Sequence, residues 1–112
     1  MIERLRSQKD FQLIFKDGKR IKEEILTIYY RKRRENTLNR LAVSVSSKVG
    51  KAVYRNKIKR WTRESIRYIE KSFNEKFRGY DILVSVRNKN VKYNFNDIKN
   101  SVVRSLKTAN II

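Results

Sequence analysis

The stretch that decides the fold is residues 41–64, LAVSVSSKVGKAVYRNKIKRWTRE. Its first seven residues alternate between apolar and small or polar side chains, which predicts a half-buried strand over 41–47 with a small, polar second face. Gly50 allows a tight loop, where backbone N–H groups and the next helix N-terminus can face an anion. Over residues 55–77 apolar side chains recur at helical spacing and Lys and Arg fill the opposite arc. We therefore predict an amphipathic helix with a basic outer stripe, ended by Gly79.

The chain before this stretch predicts a short helix followed by strands. Ser7 and Asp10 fit a variant of the capping box, and Gly18 ends a helix of about ten residues. Residues 25–31 are β-branched and aromatic, which predicts a strand. Residues 18–22 fit a short edge strand.

The remaining segments complete the architecture. Residues 32–40 are expected to form an exposed loop, and residues 80–86 a further strand with alternate side chains inward. Asn94 or Asn96 can cap a last helix. Helices interleaved with a few strands in a short chain predict an α+β sandwich, formed by a single domain over residues 1–112.

Charge is the strongest compositional signal. The chain has 29 Lys and Arg against 11 Asp and Glu, a formal net charge of +18. Like charges at this density repel one another and lower stability, so we expect a polyanionic partner. Nucleic acid is the first candidate and an anionic membrane surface the second. Aromatic residues mixed with Lys and Arg favour bases over lipid headgroups; the alternative is a basic soluble protein without such a partner.

The sequence excludes several kinds of chemistry. It contains no Cys and no His, which excludes disulfides, thiol nucleophiles and the commonest general base. The acids are scattered, and the one adjacent pair, Glu23 and Glu24, would point to opposite faces of a strand, whereas two-metal hydrolysis needs converging carboxylates. We therefore expect no catalytic or metal-binding residue. The N-terminus lacks the apolar core of a signal peptide and no apolar run could span a membrane, so we expect a cytoplasmic protein without a membrane partner.

The positive charge concentrates in one segment without acids. The 28 residues between Glu35 and Glu64 contain eight Lys or Arg, seven of them within residues 48–63. A solvated helix face usually interleaves acids at i,i+4, so we interpret this segment as a phosphate-binding surface. Its cations are Arg40, Lys48, Lys51, Arg55, Lys57, Lys59, Arg60 and Arg63.

A second candidate surface combines aromatic and small polar side chains. Phe11 and Phe15 lie four residues apart on the first helix. Tyr29 lies on a strand face that suits a core poorly and suits base stacking well, at about 1–3 kcal/mol per base. The alternative is that these aromatic residues belong to the core. The other residues of this face are Thr27, Arg31, Ala42, Ser44 and Ser46.

Residues 48–64, KVGKAVYRNKIKRWTRE, carry a resemblance to a known family. The segment resembles the protein subunit of bacterial ribonuclease P, whose pattern reads roughly K-x-G-x-A-V-x-R-N-R-x-K-R-x-x-R-E. The match is ungapped. Residues 10–18 resemble the first helix of that family and residues 41–48 its strand leading into the motif, so the resemblance covers nearly the whole chain.

The resemblance implies a fold, a partner and a reaction. The fold is a two-layer α+β sandwich of order αβββαβα with an unusual left-handed βαβ crossover, like the second domain of a small-subunit ribosomal protein. The partner is the catalytic ribonuclease P RNA, with one protein per RNA. The holoenzyme cuts precursor tRNA to give the mature 5′ end, with Mg²⁺ held mainly by the RNA. The protein is then the non-catalytic subunit of an endoribonuclease.

The resemblance also implies roles for particular residues. A cleft between sheet and helix takes the single-stranded 5′ leader, lined by Phe11, Phe15 and Tyr29; the strand faces add Arg31, Ser44 and Ser46. By matched position, the RNA-binding motif comprises Arg55, Asn56, Lys59, Arg60 and Arg63, and Lys48 also falls on a basic position of the family. The charged segment itself adds Lys51 and Lys57 to the expected RNA-binding residues. Lys57 stands where the family usually has arginine, so it keeps the charge and loses the planar bidentate fork.

Two other functions fit part of the pattern. A ribosomal or other structural RNA-binding protein would bind RNA through charge and have no processing activity. An independent nuclease would cleave RNA with Mg²⁺ and no RNA cofactor. Neither explains the match over residues 48–64.

Overall fold

The computed structural model describes residues 2–33, 38–73 and 75–112. Within these residues, five strands form one mixed sheet and three α-helices pack on it. In chain order the elements are β1 (Ile2–Arg4), α1 (Gln8–Asp17), β2 (Lys19–Lys22), β3 (Thr27–Lys32), β4 (Asn39–Val45), a 3₁₀ turn (Ser47–Val49), α2 (Ala52–Ser72), β5 (Tyr80–Val86) and α3 (Phe95–Thr108). The connection predicted over 32–40 is shorter than expected, and residues 34–37 lie outside the described residues.

The strand order across the sheet is β1-β4-β5-β3-β2. Strands β4 and β5 run parallel and are connected by α2, while β3 pairs antiparallel with both β5 and β2. The predicted α+β class is confirmed, and so is the edge strand within residues 18–22, which is β2. One strand was not predicted: β1 precedes the αβββαβα order and pairs parallel to β4.

The main core lies between the sheet and helices α2 and α3. Side chains alternate along each strand, and on the face toward these helices Ile28, Ile82 and Val84 are fully buried. The helices bury apolar stripes at helical spacing against this face, as the sequence predicted. These residues are Ile58, Ile66 and Ile69 from α2 and Ile98, Val102 and Leu106 from α3.

Helix α1 lies on the opposite face of the sheet, packed on β3 and β5. Its contacts are with side chains that alternate with the core-facing ones, among them Tyr29 and Arg40. Leu5, Ile14 and Leu83 are buried outside the main core. The sheet therefore has one face covered by two helices along its centre and a second face only partly covered by one.

The boundaries of α2 differ from the prediction. The helix begins at Ala52 and ends at Ser72, so Gly79 does not terminate it. Phe77 is fully buried without being helical, and its N–H donates to the Phe73 carbonyl at 2.9 Å. The apolar spacing continues past the end of the helix because the side chains of Phe73 and Phe77 still pack on the core. Position 74 lies outside the described residues. Gly79 instead has φ +75°, a left-handed conformation that suits glycine at the turn into β5.

Only one of the two predicted helix caps forms as expected. Asn94 caps α3, since its side chain accepts the Asp97 N–H at 2.8 Å. Ser7 precedes α1 but makes no side-chain capping hydrogen bond. Asp10, the other member of the predicted capping box, bonds to Arg40 of the sheet. A tertiary ion pair has taken the place of the local motif.

Candidate RNA-binding surfaces

The outer face of the sheet, away from α2 and α3, changes from charged to small and polar along the strands. The strand register places its side chains in three rows across β3, β5 and β4. We name them the ionic row, Arg31–Asp81–Arg40, the middle row, Tyr29–Leu83–Ala42, and the open row, Thr27–Ser85–Ser44.

Asp81 lies at the centre of the ionic row and is fully buried. Arg40 donates one hydrogen bond to each of its carboxylate oxygens at 2.7 Å, and Arg33 donates another at 2.6 Å. The Arg31 Nη1 lies 3.9 Å from the same carboxylate. Hydrogen bonding to Asp81 raises the pKa of the Arg40 guanidinium above its ordinary value. These partners offset the cost of burying the Asp81 charge, and Arg40, counted with the basic segment by sequence, serves the fold.

Helix α1 is fixed over the outer face at both of its ends. At its first turn, Asp10 accepts a hydrogen bond from the Arg40 Nη1 at 3.0 Å. After its last turn, Gly18 permits close approach to β3, because a Cβ there would lie 2.6 Å from the Tyr30 carbonyl oxygen. The ion pair and the glycine thus fix the two ends of the helix relative to β4 and β3, and Ile14 is buried between them.

That position brings Phe15 beside Tyr29. Their ring centroids are 5.1 Å apart with an interplanar angle of 72°, an edge-to-face pair. Phe15 is 60% exposed, and Tyr29 and Phe11 are half-buried. The aromatic residues are therefore not all core residues, and the Phe15–Tyr29 pair forms an accessible wall beside the open row.

The open row supplies a polar floor next to this wall. Thr27 and Ser85 are half-buried and Ser44 is exposed. Arg20 and Lys22 of β2 pair with β3 in register and extend the middle and open rows with cations. We name this surface, from the Phe15–Tyr29 pair to the open row, the outer cleft. Sequence reasoning missed Ser85, although its polar side chain interrupts the apolar run of β5, and it missed the β2 cations.

The second surface is the outward arc of α2. Its cations are gathered on one side of the helix, opposite the buried apolar stripe. Arg60 and Glu64 form an i,i+4 pair at 3.9 Å with side chains 61% and 47% exposed, a pair of little energetic weight. The exposed polar and cationic residues of the arc are Asn56, Lys57, Arg60, Arg63, Arg67 and Lys71.

Aromatic side chains stabilise the first turn of α2 and the loop that precedes it. A Cβ on Gly50 would lie 2.7 Å from the Tyr54 ring, and the Tyr54 hydroxyl accepts the Tyr93 N–H at 2.6 Å. Burial raises the pKa of the Tyr93 phenol, which donates to the Asn88 carbonyl at 2.8 Å. The Arg55 Nε donates to the Gly50 carbonyl at 3.1 Å. Arg55 therefore helps to shape the loop that precedes the helix.

The turn between β4 and α2 joins the two surfaces. Ser46 directly follows β4, and its hydroxyl accepts the Lys48 N–H at 3.3 Å. Lys48 and Lys51 are exposed where the chain passes from the sheet to α2. Of the predicted RNA-binding residues, Lys48, Lys51, Asn56, Lys57, Arg60 and Arg63 are exposed and Arg55 and Lys59 are half-buried.

Several acids are engaged in stabilising the fold. Besides Asp10 and Asp81, Glu23 accepts hydrogen bonds from Ser101 at 2.8 Å and from Arg104 at 3.0 Å. Among the described residues, no group of three acids is placed to hold a metal ion. In the same part of the chain, no helix is both long and apolar enough to cross a bilayer.

Comparison with known proteins gives one family. A family model described as Ribonuclease P matches residues 2–110. The chain is 39% identical over 109 residues to the ribonuclease P protein component of Clostridium botulinum strain 657, covering 96% of this chain and 95% of that protein. It is 30% identical over 109 residues to the corresponding Listeria monocytogenes serotype 4a protein, covering 97% and 89%.

Solved structures give the same result. The Staphylococcus aureus RNase P protein matches with a TM-score of 0.78 at 34% identity, covering 96% of this chain and 95% of that one. The Thermotoga maritima RNase P protein matches with a TM-score of 0.74 at 35% identity, covering 95% and 96%.

A small α+β protein with a cationic helix on one side and an aromatic, polar cleft on the other has the features of an RNA-binding protein. The chain belongs to the family of bacterial ribonuclease P proteins, the protein subunits of a tRNA-processing endoribonuclease complex. The resemblance over residues 48–64 is confirmed.

Proposed function

We propose that the outward arc of α2 binds the RNA subunit of ribonuclease P while the outer cleft holds the single-stranded 5′ leader of precursor tRNA. The observation that carries this proposal is the placement of the two surfaces: α2 packs on one face of the sheet and the outer cleft lies on the other. One protein can then contact two RNAs at once. We expect one protein to bind each RNA subunit, and we expect the complex to lie in the cytoplasm.

The outer cleft suits an unpaired strand. Unpaired bases stack on aromatic rings, and their phosphates need nearby cations. The exposed Phe15 ring beside Tyr29 supplies the stacking surface, and Arg20 and Lys22 along β2 supply the cations. Small side chains in the open row leave room for the backbone of the strand beside the rings.

The arc of α2 suits phosphates held in a folded RNA. Its arginines present planar forks that bind phosphate oxygens in pairs. Glu64 neutralises Arg60 only weakly, because the pair is long and exposed. Bound RNA would therefore replace the missing acids as the counter-charge of this helix.

Hydrolysis is assigned to the RNA partner and to Mg²⁺ that it holds. Support comes from the fully buried Asp81, which is committed to arginine partners, and from Asp10, which is committed to Arg40. The protein would raise the affinity for substrate by gripping the leader, and it would favour metal binding indirectly by fixing the substrate in place.

The test adds the protein to the ribonuclease P RNA of Clostridium botulinum, whose protein subunit is 39% identical. At low Mg²⁺ we expect the protein to stimulate cleavage of precursor tRNA at the mature 5′ end. Absence of stimulation would contradict the proposal. Protein without RNA subunit is the control: cleavage by protein alone would indicate an independent nuclease, and ribosomal RNA binding without stimulation would indicate a structural RNA-binding protein.

A further inference from the structure

A groove between β1 and α2 brings together cations that lie far apart in the sequence. It has a volume of about 330 Å³ and is lined by Ile2, Glu3, Arg4, Leu41, Arg63 and Arg67. Neither Arg4 nor Arg67 belongs to the RNA-binding motif over residues 48–64. The groove exists because β1 pairs with the edge of β4, directly beside the helix.

The strand register decides which side chains of β1 face the helix. Arg4 pairs with Leu41, which is buried on the face covered by α2 and α3. Paired residues project from the same face of a sheet, so Arg4 projects toward α2. Glu3 pairs with Arg40 of the ionic row and belongs to the opposite face. The acid therefore lies at the rim of the groove and the arginine faces its interior.

The three arginines of the groove form an uncompensated cluster. In the described part of the chain, Arg4, Arg63 and Arg67 have no acidic partner, and all three are exposed. Arg63 and Arg67 are one helical turn apart, about 6 Å along the axis, which resembles the spacing of successive phosphates in a nucleic-acid strand. Like charges at this spacing repel, and a bridging anion removes that repulsion.

The lining of the groove also indicates which form of RNA it fits. None of the described residues that line it is aromatic, whereas the outer cleft has the Phe15–Tyr29 pair. Recognition of unpaired bases depends on stacking, and base-paired RNA is recognised through phosphates and 2′-hydroxyls. A groove lined by arginine guanidinium groups rather than aromatic rings therefore suits base-paired RNA.

We propose that this groove binds the phosphate backbone of a base-paired segment of RNA, which extends the α2 surface onto strand β1. The proposal rests on the proposed function, because the paired segment would belong to the ribonuclease P RNA. It adds Arg4 of β1 to the residues proposed to hold that RNA, and it assigns Arg67 of the arc to a paired segment.

The test compares Arg4→Gln and Arg67→Gln with Lys107→Gln, which removes an exposed charge from α3 outside the groove. Affinities are measured for Clostridium botulinum ribonuclease P RNA, for a hairpin duplex of about 16 base pairs and for a single-stranded leader oligonucleotide. We expect each groove variant to bind both folded RNAs about fivefold more weakly and to reduce the slope of log K against log salt by about one. We expect single-strand affinity and melting temperature to stay unchanged.

The outcomes separate this proposal from the proposed function. If wild-type protein stimulates cleavage but the groove variants behave like Lys107→Gln, the groove proposal is wrong and the proposed function stands. If the groove variants lose single-strand affinity equally, the assignment to paired RNA is wrong. If the wild-type protein fails to stimulate cleavage, the proposed function itself is contradicted. Glu3→Gln removes the acid at the rim and is expected to keep or increase the affinity for paired RNA.

Discussion

The two faces of the sheet are built from the same strands and hold their helices in different ways. The inner face binds α2 and α3 through a continuous apolar core in which Ile28, Ile82 and Val84 are fully buried. The outer face holds α1 through the Arg40–Asp10 ion pair at the ionic row and a small set of buried apolar side chains that includes Ile14 and Leu83. Helix α1 is fastened near the ionic row at one end of the strands, so the open row is left uncovered. In the proposed function, this uncovered part of the face is where an RNA strand binds.

The largest expected effect comes from breaking the ionic row. Asp81→Asn leaves Arg33 and Arg40 without their shared counter-charge, and we expect unfolding free energy to fall by about 3–5 kcal/mol. Denaturant-induced unfolding of the variant and the wild-type protein measures this change in free energy. Glu24→Gln, an exposed acid, is the matched control and should change stability by less than about 0.5 kcal/mol. Similar small losses for both variants would show that the ionic row does not hold the outer face together.

The next effect separates the cleft from the helix surface. Phe15→Ala or Tyr29→Ala removes one ring of the stacking wall, so we expect leader-bearing precursor tRNA to bind about 1–3 kcal/mol more weakly. Affinity for mature tRNA, measured in the same holoenzyme, should be unaffected. Equal losses for both substrates would place these rings outside the leader-binding surface.

A change in α2 is expected to have the opposite pattern of effects, on the RNA subunit and not on the leader. Arg60→Gln should weaken binding of the ribonuclease P RNA and flatten its salt dependence by about one contact, with no preferential loss of leader-bearing substrate. Glu64→Gln is the paired control, because it frees Arg60 from its weak partner and should keep or strengthen binding. An unchanged salt slope in Arg60→Gln would place Arg60 outside the RNA interface.

The smallest effect concerns the attachment of α1. Asp10→Asn loses the ion pair with Arg40 and leaves the buried Asp81 with its own hydrogen bonds intact. Because both side chains are partly exposed, we expect a stability loss of at most about 1 kcal/mol. Leader affinity should fall by a few fold as Phe15 shifts relative to Tyr29, while affinity for the ribonuclease P RNA stays the same. Loss of RNA-subunit affinity instead would show that α1 does not act on the outer cleft alone.

The inner face could be predicted from sequence because its signal is local. Alternation over residues 41–47 and helical spacing over residues 55–77 each repeat often enough to identify an element and its buried side. The end of α2 could not be predicted, since Phe77 keeps the apolar spacing without being helical. Strand β1 has only three residues, too few for a period to show.

The outer face could be predicted only in part, because only part of its signal is local. Its polar character follows from alternation, which correctly placed Tyr29 with Thr27 and Ser44. The ionic row joins Asp81 to Arg40, 41 positions away in the chain, and no local pattern links them. In the same way, the residue types of Ser7 and Asp10 indicated a capping box, yet Asp10 bonds across the fold to Arg40.

The central claim is that the two surfaces hold different RNAs, and amide hydrogen exchange of the assembled complex tests it most directly. Binding the ribonuclease P RNA should slow exchange along α2, whose exposed arc carries Arg60 and Arg63. Adding leader-bearing precursor tRNA should slow exchange further in α1 and β3, and adding mature tRNA should not. Added protection that falls on α2, or that is the same for mature tRNA, would contradict the account.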